Sequence, residues 1–290
     1  MPSQGPLIPR RRLGAELRRL REAAGLHLDD AAEHLECSAS KISRLETGQG
    51  IPKSRDIRDL LTLYGLDDKK AQDRLLRMAG DGRRQGWWRD FADVLTPNVD
   101  LFLSMEAEVS RIRGYVHSTV FGLLQTEDYA SALFTAIYPR AKPADNDQRV
   151  RLRMQRQRAL AEREERPRLN IIIDEAVLHR VVGGPAVMRD QLAHLIELSR
   201  TPEVTLLVFP FDNGPDIAAQ CTFVVFTFES DYDRNAVNIE LSLDDRWLEQ
   251  ESEVARYTRI FDELAKKCLD PPGSRGYIEA MIKKYEQMGQ

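Results

Sequence analysis

The chain has 290 residues, a net charge of −4 and 42% apolar residues, a balance typical of a soluble globular protein that is long enough for two domains. It has neither a run of roughly 20 apolar residues nor a secretory signal, so we expect a cytoplasmic protein that does not enter a membrane. Its three cysteines lie far apart and form no CxxC pair, so we expect no disulfide framework, no zinc site and no cofactor.

The charge is distributed unevenly along the chain. The first 86 residues hold 17 lysines and arginines against 13 aspartates and glutamates, whereas the remainder holds 25 against 33. The N-terminal part therefore carries +4 and the rest −8, and a basic excess of this kind favours a nucleic-acid partner for the N-terminal part.

Five short helices are predicted before residue 80. Leu13, Leu17 and Leu20 follow the spacing of an amphipathic helix that Gly25 ends. Ser38 and Ser54 are plausible N-caps for the third and fourth helices. The predicted helices cover residues 13–24, 29–35, 38–47, 54–64 and 68–79. They are enough to enclose one small core.

The second and third of these helices form the most informative segment, residues 26–52. On the third helix Ile42 and Leu45 face inward, while the outward face carries Ala39, Ser40, Lys41, Ser43 and Arg44. A short helix with a polar, cationic outer face suits the major groove of DNA. Arg44 can make a bidentate contact with guanine, and Lys41 is better suited to a phosphate.

The pattern of residues 13–66, with its AGLxLxxAAxxLxxSxSxISRLExG spacing, resembles the Xre/Cro/phage-repressor helix-turn-helix family. The resemblance implies that Ala39, Ser40 and Arg44 face the bases, and that Arg21 and Glu46 form an ion pair that braces the recognition helix. Two departures weaken contacts with the DNA backbone. Leu28 stands where the family often has glutamine, and Gln49-Gly50 replaces a loop that is often basic.

Contacts with the DNA backbone are assigned to six residues: Arg10, Arg11, Arg12, Lys41, Ser43 and Lys53. Together with Arg18 and Arg19, the first three are interpreted as an arm that grips phosphates, and the alternative is a solvated, disordered tail. A second alternative is that the whole five-helix module makes only protein contacts.

The glycine-rich stretch GDGRRQG indicates a boundary, giving a DNA-binding domain over 1–80, a linker over 81–86 and a second domain over 87–290. The second domain is predicted to be mixed α/β, with helical segments flanking a sheet of four to six strands. Its first two predicted strands enclose a helix, which indicates a parallel crossover, and the later strands are expected to be antiparallel. The segment from Trp87 to Tyr138 is predicted to be helical. The predicted strands cover 169–174, 204–211, 221–228 and 236–241, and further helices cover 149–165, 185–199, 251–268 and 274–287.

The order of segments after residue 86, including GWWRDFADVL, GLLQTEDYASAL and VTLLVFPF, resembles the actinobacterial helix-turn-helix regulators of the WhiJ-like group from Streptomyces. That resemblance implies a long C-terminal domain without an assigned activity and a role in differentiation or secondary metabolism. It also implies a small partner protein encoded by a neighbouring gene.

Two groups of side chains are candidates for a partner or ligand site. Trp87 and Trp88 are suited to line a ligand pocket, although docking of the linker onto the second domain is the favoured interpretation. Arg149, Arg153 and Arg156 share one face of a charged helix. This face is a solvated surface, the receptor for an acidic partner protein or a surface that contacts flanking DNA.

Asp174, Glu175 and His179 form the one constellation that suggests an enzyme, since Glu175 and His179 lie four residues apart on a helix. No HExxH motif is present, and the favoured interpretation is a helix cap with a local pair. We expect no enzymatic activity.

These features predict a sequence-specific transcription regulator, more specifically a repressor. A homodimer on double-stranded operator DNA is expected, with half-sites about one helical turn apart. The C-terminal domain would carry dimerisation and receive the signal from a small protein or ligand. Two alternatives stay open: an antitoxin-like protein that holds a small partner and autoregulates, and an enzyme fused to a DNA-binding domain.

Overall fold

A computed structural model describes residues 7–82, 86–214, 220–229, 234–241 and 245–288. The chain folds as two compact units, the first reaching Glu108 and the second beginning at Val109. The first unit therefore includes residues 87–108, which the predicted boundary placed in the second domain. Residues 83–85 of the predicted linker lie outside the described part.

Within the first unit the five predicted helices are present. Helix α1 begins at Leu7, earlier than predicted, and Gly25 follows it with a positive φ of 71°. Ser54 is the first residue of α4 and does not cap it, because the N-cap position belongs to Lys53, which makes no side-chain cap bond. The helices are α1 (Leu7–Ala23), α2 (Leu28–His34), α3 (Ala39–Glu46), α4 (Ser54–Leu63), α5 (Lys69–Asp81) and α6 (Pro97–Glu106).

Their apolar faces form one core, since residues at helical spacing bring their side chains to a shared side of each helix. The core includes Leu13, Leu17, Ala31, Ile42, Ile57, Leu60, Leu61 and Leu75. A 3₁₀ turn over Trp87–Phe91 precedes α6.

The second unit is a mixed α/β domain, as predicted. Its described residues form six strands in the order β3-β2-β1-β4-β5-β6. The strands are β1 (Arg111–Val116), β2 (Arg168–Asp174), β3 (Val204–Phe209), β4 (Phe223–Thr227), β5 (Ala236–Ile239) and β6 (Arg246–Leu248). The helices are α7 (Glu127–Ile137), α8 (Pro143–Ala161), α9 (Glu175–His179), α10 (Pro185–Leu198), α11 (Glu251–Lys267) and α12 (Pro271–Met288).

Strands β1, β2 and β3 are mutually parallel, and β4, β5 and β6 continue the sheet in antiparallel pairs. The parallel crossover from β2 through α10 to β3 is therefore confirmed, as is the antiparallel pairing of the later strands. The interpretation of residues up to 138 as helical was wrong for β1, which lies at the centre of the sheet. The segment α11 packs on the face that carries Tyr115, Ile172 and Phe223.

Candidate nucleic-acid interface

Helices α2 and α3 are joined by a tight turn. Glu36 adopts a left-handed conformation with φ of 49°, which lets the chain reverse direction within a few residues. Ser38 then begins α3, because its Oγ accepts a hydrogen bond of 3.3 Å from the backbone N–H of Lys41. Ala32 and Ile42 are buried where the two helices meet the core.

The outer face of α3 is open to solvent at two predicted base-contacting positions. Ser40 and Arg44 are exposed, whereas Ala39 packs partly against the core and Ser43 is half-buried. Within the described residues, no acceptor lies within hydrogen-bonding distance of the Arg44 guanidinium group. Its five N–H donors are thus available to a ligand.

Lys41, predicted to contact a phosphate, forms an ion pair within the first unit. Its Nζ lies 2.6 Å from a carboxylate oxygen of Asp56 on α4, so a phosphate contact by Lys41 requires it to leave or share that carboxylate. Lys53 is exposed at the start of α4. Asp29 and Asp30 occupy the first turn of α2, where their charge opposes a phosphate at that helix N-terminus.

The structure contradicts the prediction that the N-terminal arginines form an arm. Arg10, Arg11 and Arg12 lie inside α1, and Arg10 is 6% exposed. Burial lowers the pKa of Arg10, and Asp100 opposes this effect. Arg12 lies 3.6 Å from Glu108 within the same unit. Packing of the long aliphatic stems explains the difference, because it holds the side chains against the fold rather than in solvent.

Arg21 and Glu46 form a bidentate ion pair between α1 and α3. The Nε and Nη2 atoms of Arg21 lie 2.6 and 2.9 Å from the two carboxylate oxygens of Glu46. Nη1 of Arg21 also donates to the carbonyl of Leu26 at 2.8 Å. One guanidinium group therefore links α1 to the connection that precedes α2 and to the end of α3.

Gly14 is a second contact between α1 and α3, and sequence reasoning did not identify it. A Cβ atom at this position would lie 2.5 Å from the backbone carbonyl oxygens of Leu45 and Glu46. The missing side chain thus lets α1 approach the last turn of α3. A glycine inside a predicted helix was the signal available in the sequence.

We expect Gly14→Ala to lower the stability of the first unit by about 1–3 kcal/mol, because backbone atoms cannot yield to the added methyl group. The matched control is Gly80→Ala in α5, where a Cβ meets nothing within 4 Å. That change should stabilise the protein by up to about 1 kcal/mol through helix propensity. Thermal unfolding of both variants measures the difference, and stabilisation by Gly14→Ala would contradict the proposed close packing.

Two family models match separate parts of the chain. A helix-turn-helix domain model matches residues 12–73. A second model, of a domain of unknown function, DUF5753, matches residues 99–280, more than half of the chain. The chain belongs to the DUF5753 family. No protein with a curated description and no solved structure matches it significantly.

The helix-turn-helix match supports a DNA-binding regulator, with the DUF5753 domain following the DNA-binding part. None of the helices in the described ranges is both long and apolar enough to cross a membrane.

In the DUF5753 domain the arginine face of α8 is not the solvated face of the sequence interpretation. Arg153 lies with its guanidinium carbon 4.3 Å from the centre of the Phe134 ring and donates to the side-chain oxygen of Gln125. Arg149 lies 4.4 Å from the centre of the Tyr138 ring, and Arg156 is half-buried. Both cation–π contacts are with α7 or the residue that follows it, so packing within the domain uses this face.

Trp87 and Trp88 precede the part of the chain that the DUF5753 model matches. Trp88 is 2% exposed, and its Nε1 donates to Asp100 at 2.6 Å. Trp87 packs edge-on against Trp88 with 5.6 Å between ring centroids. Trp88 belongs to the buried core of the first unit and has neither a free donor nor an open ring face, while Trp87 is half-buried.

The candidate catalytic residues make structural contacts within and between helices. Asp174 caps α9 by accepting from the backbone N–H of Ala176 at 2.9 Å, as predicted. Glu175 lies 3.3 Å from His179 and accepts a hydrogen bond from the hydroxyl of Tyr277 on α12. The described residues of the DUF5753 protein contain no group of three or more His, Cys, Asp or Glu placed to hold a metal ion.

Proposed function

We propose that this protein is a cytoplasmic, sequence-specific transcription regulator that represses its target genes by binding operator DNA as a homodimer. In this proposal α3 enters the major groove, and the DUF5753 domain receives a signal from a small partner protein or a ligand. A role in differentiation or secondary metabolism follows from the family resemblance alone.

The observation that carries the proposal is the exposed face of α3. Ser40 and Arg44 project from a helix whose other face, Ile42 and Leu45, is buried in the core. An exposed guanidinium group without an internal partner is suited to the O6 and N7 acceptors of guanine. The nearby Lys41–Asp56 pair lowers the available positive charge, so specificity depends more on base contacts than on phosphate contacts.

A single α3 helix of eight residues covers only a few base pairs. Two copies related by a two-fold axis would double the contact and read half-sites about one helical turn apart. Sedimentation of the protein with and without its DNA measures this stoichiometry directly.

The test is fluorescence anisotropy of the purified protein on its own upstream DNA and on a scrambled duplex, at two salt concentrations. We expect a preference for the upstream DNA that persists at the higher salt, since base contacts release few counterions. In vitro transcription from the same DNA should decrease as protein is added. Equal binding to both duplexes that salt abolishes would contradict the proposal and favour an antitoxin-like interaction protein.

Arg44→Ala should weaken binding to the upstream DNA by about 1–3 kcal/mol, or roughly 5- to 150-fold, and relax the preference at one base pair. Binding to the scrambled duplex should change little. The matched control is Arg77→Ala, which removes an exposed arginine on α5 and should leave both affinities unchanged. An equal loss on both duplexes would make Arg44 a phosphate contact instead.

A further inference from the structure

Three arginines lie together at the amino ends of the parallel strands of the DUF5753 domain. Arg111 and Arg113 belong to β1 and Arg168 to β2, and Arg111 pairs directly with Arg168 in the strand register. Alternate residues of a strand share one face of a sheet. The three side chains are therefore on the same face as Tyr115, beside α11.

The arginines line a cavity of about 320 Å³. Neutral hydrogen-bonding groups are supplied by Asn170 and Thr205, and the buried Phe261 of α11 supplies an apolar wall. The volume is at the lower end of the range for small-molecule sites. It is suited to one small molecule rather than to a segment of protein.

No carboxylate in the described part of the chain lies within 4.0 Å of these three guanidinium groups. Glu203 and Asp262 line the same cavity without forming ion pairs with them, which leaves a formal local charge of +1. Elsewhere in the protein, arginines such as Arg21 and Arg153 have partners. The excess positive charge at this cavity favours an anionic ligand.

We propose that this cavity binds a small phosphate monoester, with the phosphate group held by Arg111, Arg113 and Arg168. Guanidinium groups bind phosphate oxygens in a forked geometry. Three of them, carried on two strands, match the several oxygens of a tetrahedral phosphate better than one planar carboxylate. The cavity exceeds the size of a phosphate ion, so Phe261 and Thr205 would contact the organic part of the ester.

This assignment stands on the DUF5753 domain alone, so it holds or fails independently of DNA binding. The test uses the full chain and isothermal titration calorimetry with ribose 5-phosphate, inorganic phosphate and ribose, each at the same ionic strength. We expect saturable binding of ribose 5-phosphate, weaker binding of inorganic phosphate and none of ribose. At 100 times its Kd, ribose 5-phosphate should raise the Tm of the domain by about 5–10 °C.

Arg113→Gln and Arg168→Gln should each weaken binding of ribose 5-phosphate at least about 10-fold, the loss expected for a charge-assisted hydrogen bond. Arg168 is exposed, so Arg168→Gln provides the test if Arg113→Gln does not fold. The matched control is Arg259→Gln, an exposed position on α11 outside the cavity, which should bind as the wild type does. Binding that is unchanged in Arg168→Gln, or ribose 5-phosphate that binds no better than ribose, would overturn the proposal.

Discussion

Replacement of Arg21 by alanine is expected to lower the free energy of unfolding of the first unit by about 3–5 kcal/mol. The Arg21 and Glu46 side chains are 9% and 6% exposed, so the change would leave a buried carboxylate without its partner. It would also remove the hydrogen bond from Arg21 to the carbonyl of Leu26. Because the chain has two compact units, native-state hydrogen exchange of peptides from α1 and α3 is the appropriate measurement.

Two further variants separate the ion pair from a general effect of losing an arginine. Arg18→Ala removes a surface pair with Glu22, whose side chains are 63% and 53% exposed, and should cost less than about 1 kcal/mol. The double variant Arg21→Met with Glu46→Leu should recover most of the lost stability, because it leaves no buried charge. A single Arg21→Ala variant as stable as Arg18→Ala would show that the pair does not brace α3.

The helix-turn-helix unit was predictable because its information is local. The spacing of Leu13, Leu17 and Leu20 indicates the inward face of α1. Ile42 and Leu45 indicate the inward face of α3 in the same way. Ser38 caps α3 through a contact three residues away. Each of these signals is complete within about two turns of helix, so the surrounding fold changes little about its interpretation.

Strand β1 was not predictable on the same basis. Its sequence RIRGYV contains two arginines and a glycine, whereas β2 and β3 contain the uninterrupted apolar stretches Ile171–Ile173 and Leu206–Phe209. It becomes a central strand because it pairs with β2 and with β4, whose residues follow much later in the chain. Spacing along the sequence carries no information about partners at that distance.

The exposure of arginines at the candidate sites was also difficult to predict from the sequence, because it depends on distant segments. Arg10 and Arg153 resemble surface residues in the sequence, but the structure places their stems against other helices. In contrast, Arg44 is exposed where the motif predicted. The difference depends on what other segments supply, since Phe134 and Gln125 are needed to accommodate Arg153.

Arg153→Glu is therefore expected to destabilise the DUF5753 domain by at least about 2–4 kcal/mol. The change removes a charge-assisted hydrogen bond to Gln125 and the cation–π contact with Phe134. It also places a carboxylate against a side-chain oxygen that can only accept. Gln125 is 1% exposed and its amide donates to the carbonyl of Val120, so it cannot turn to compensate without breaking that bond.

Arg151→Glu is the matched control, since Arg151 is exposed on the same helix and its reversal should change stability by less than about 0.5 kcal/mol. Urea unfolding of the two variants, followed by far-UV circular dichroism, measures the difference.

If Arg153→Glu proved as stable as Arg151→Glu, the Arg153 face would be a surface open to an acidic partner. If Arg153→Glu unfolds as expected, loss of a partner in that variant reports loss of the domain. A charge-reversal search for a partner must then begin at Arg151 and Arg158, the exposed arginines of α8.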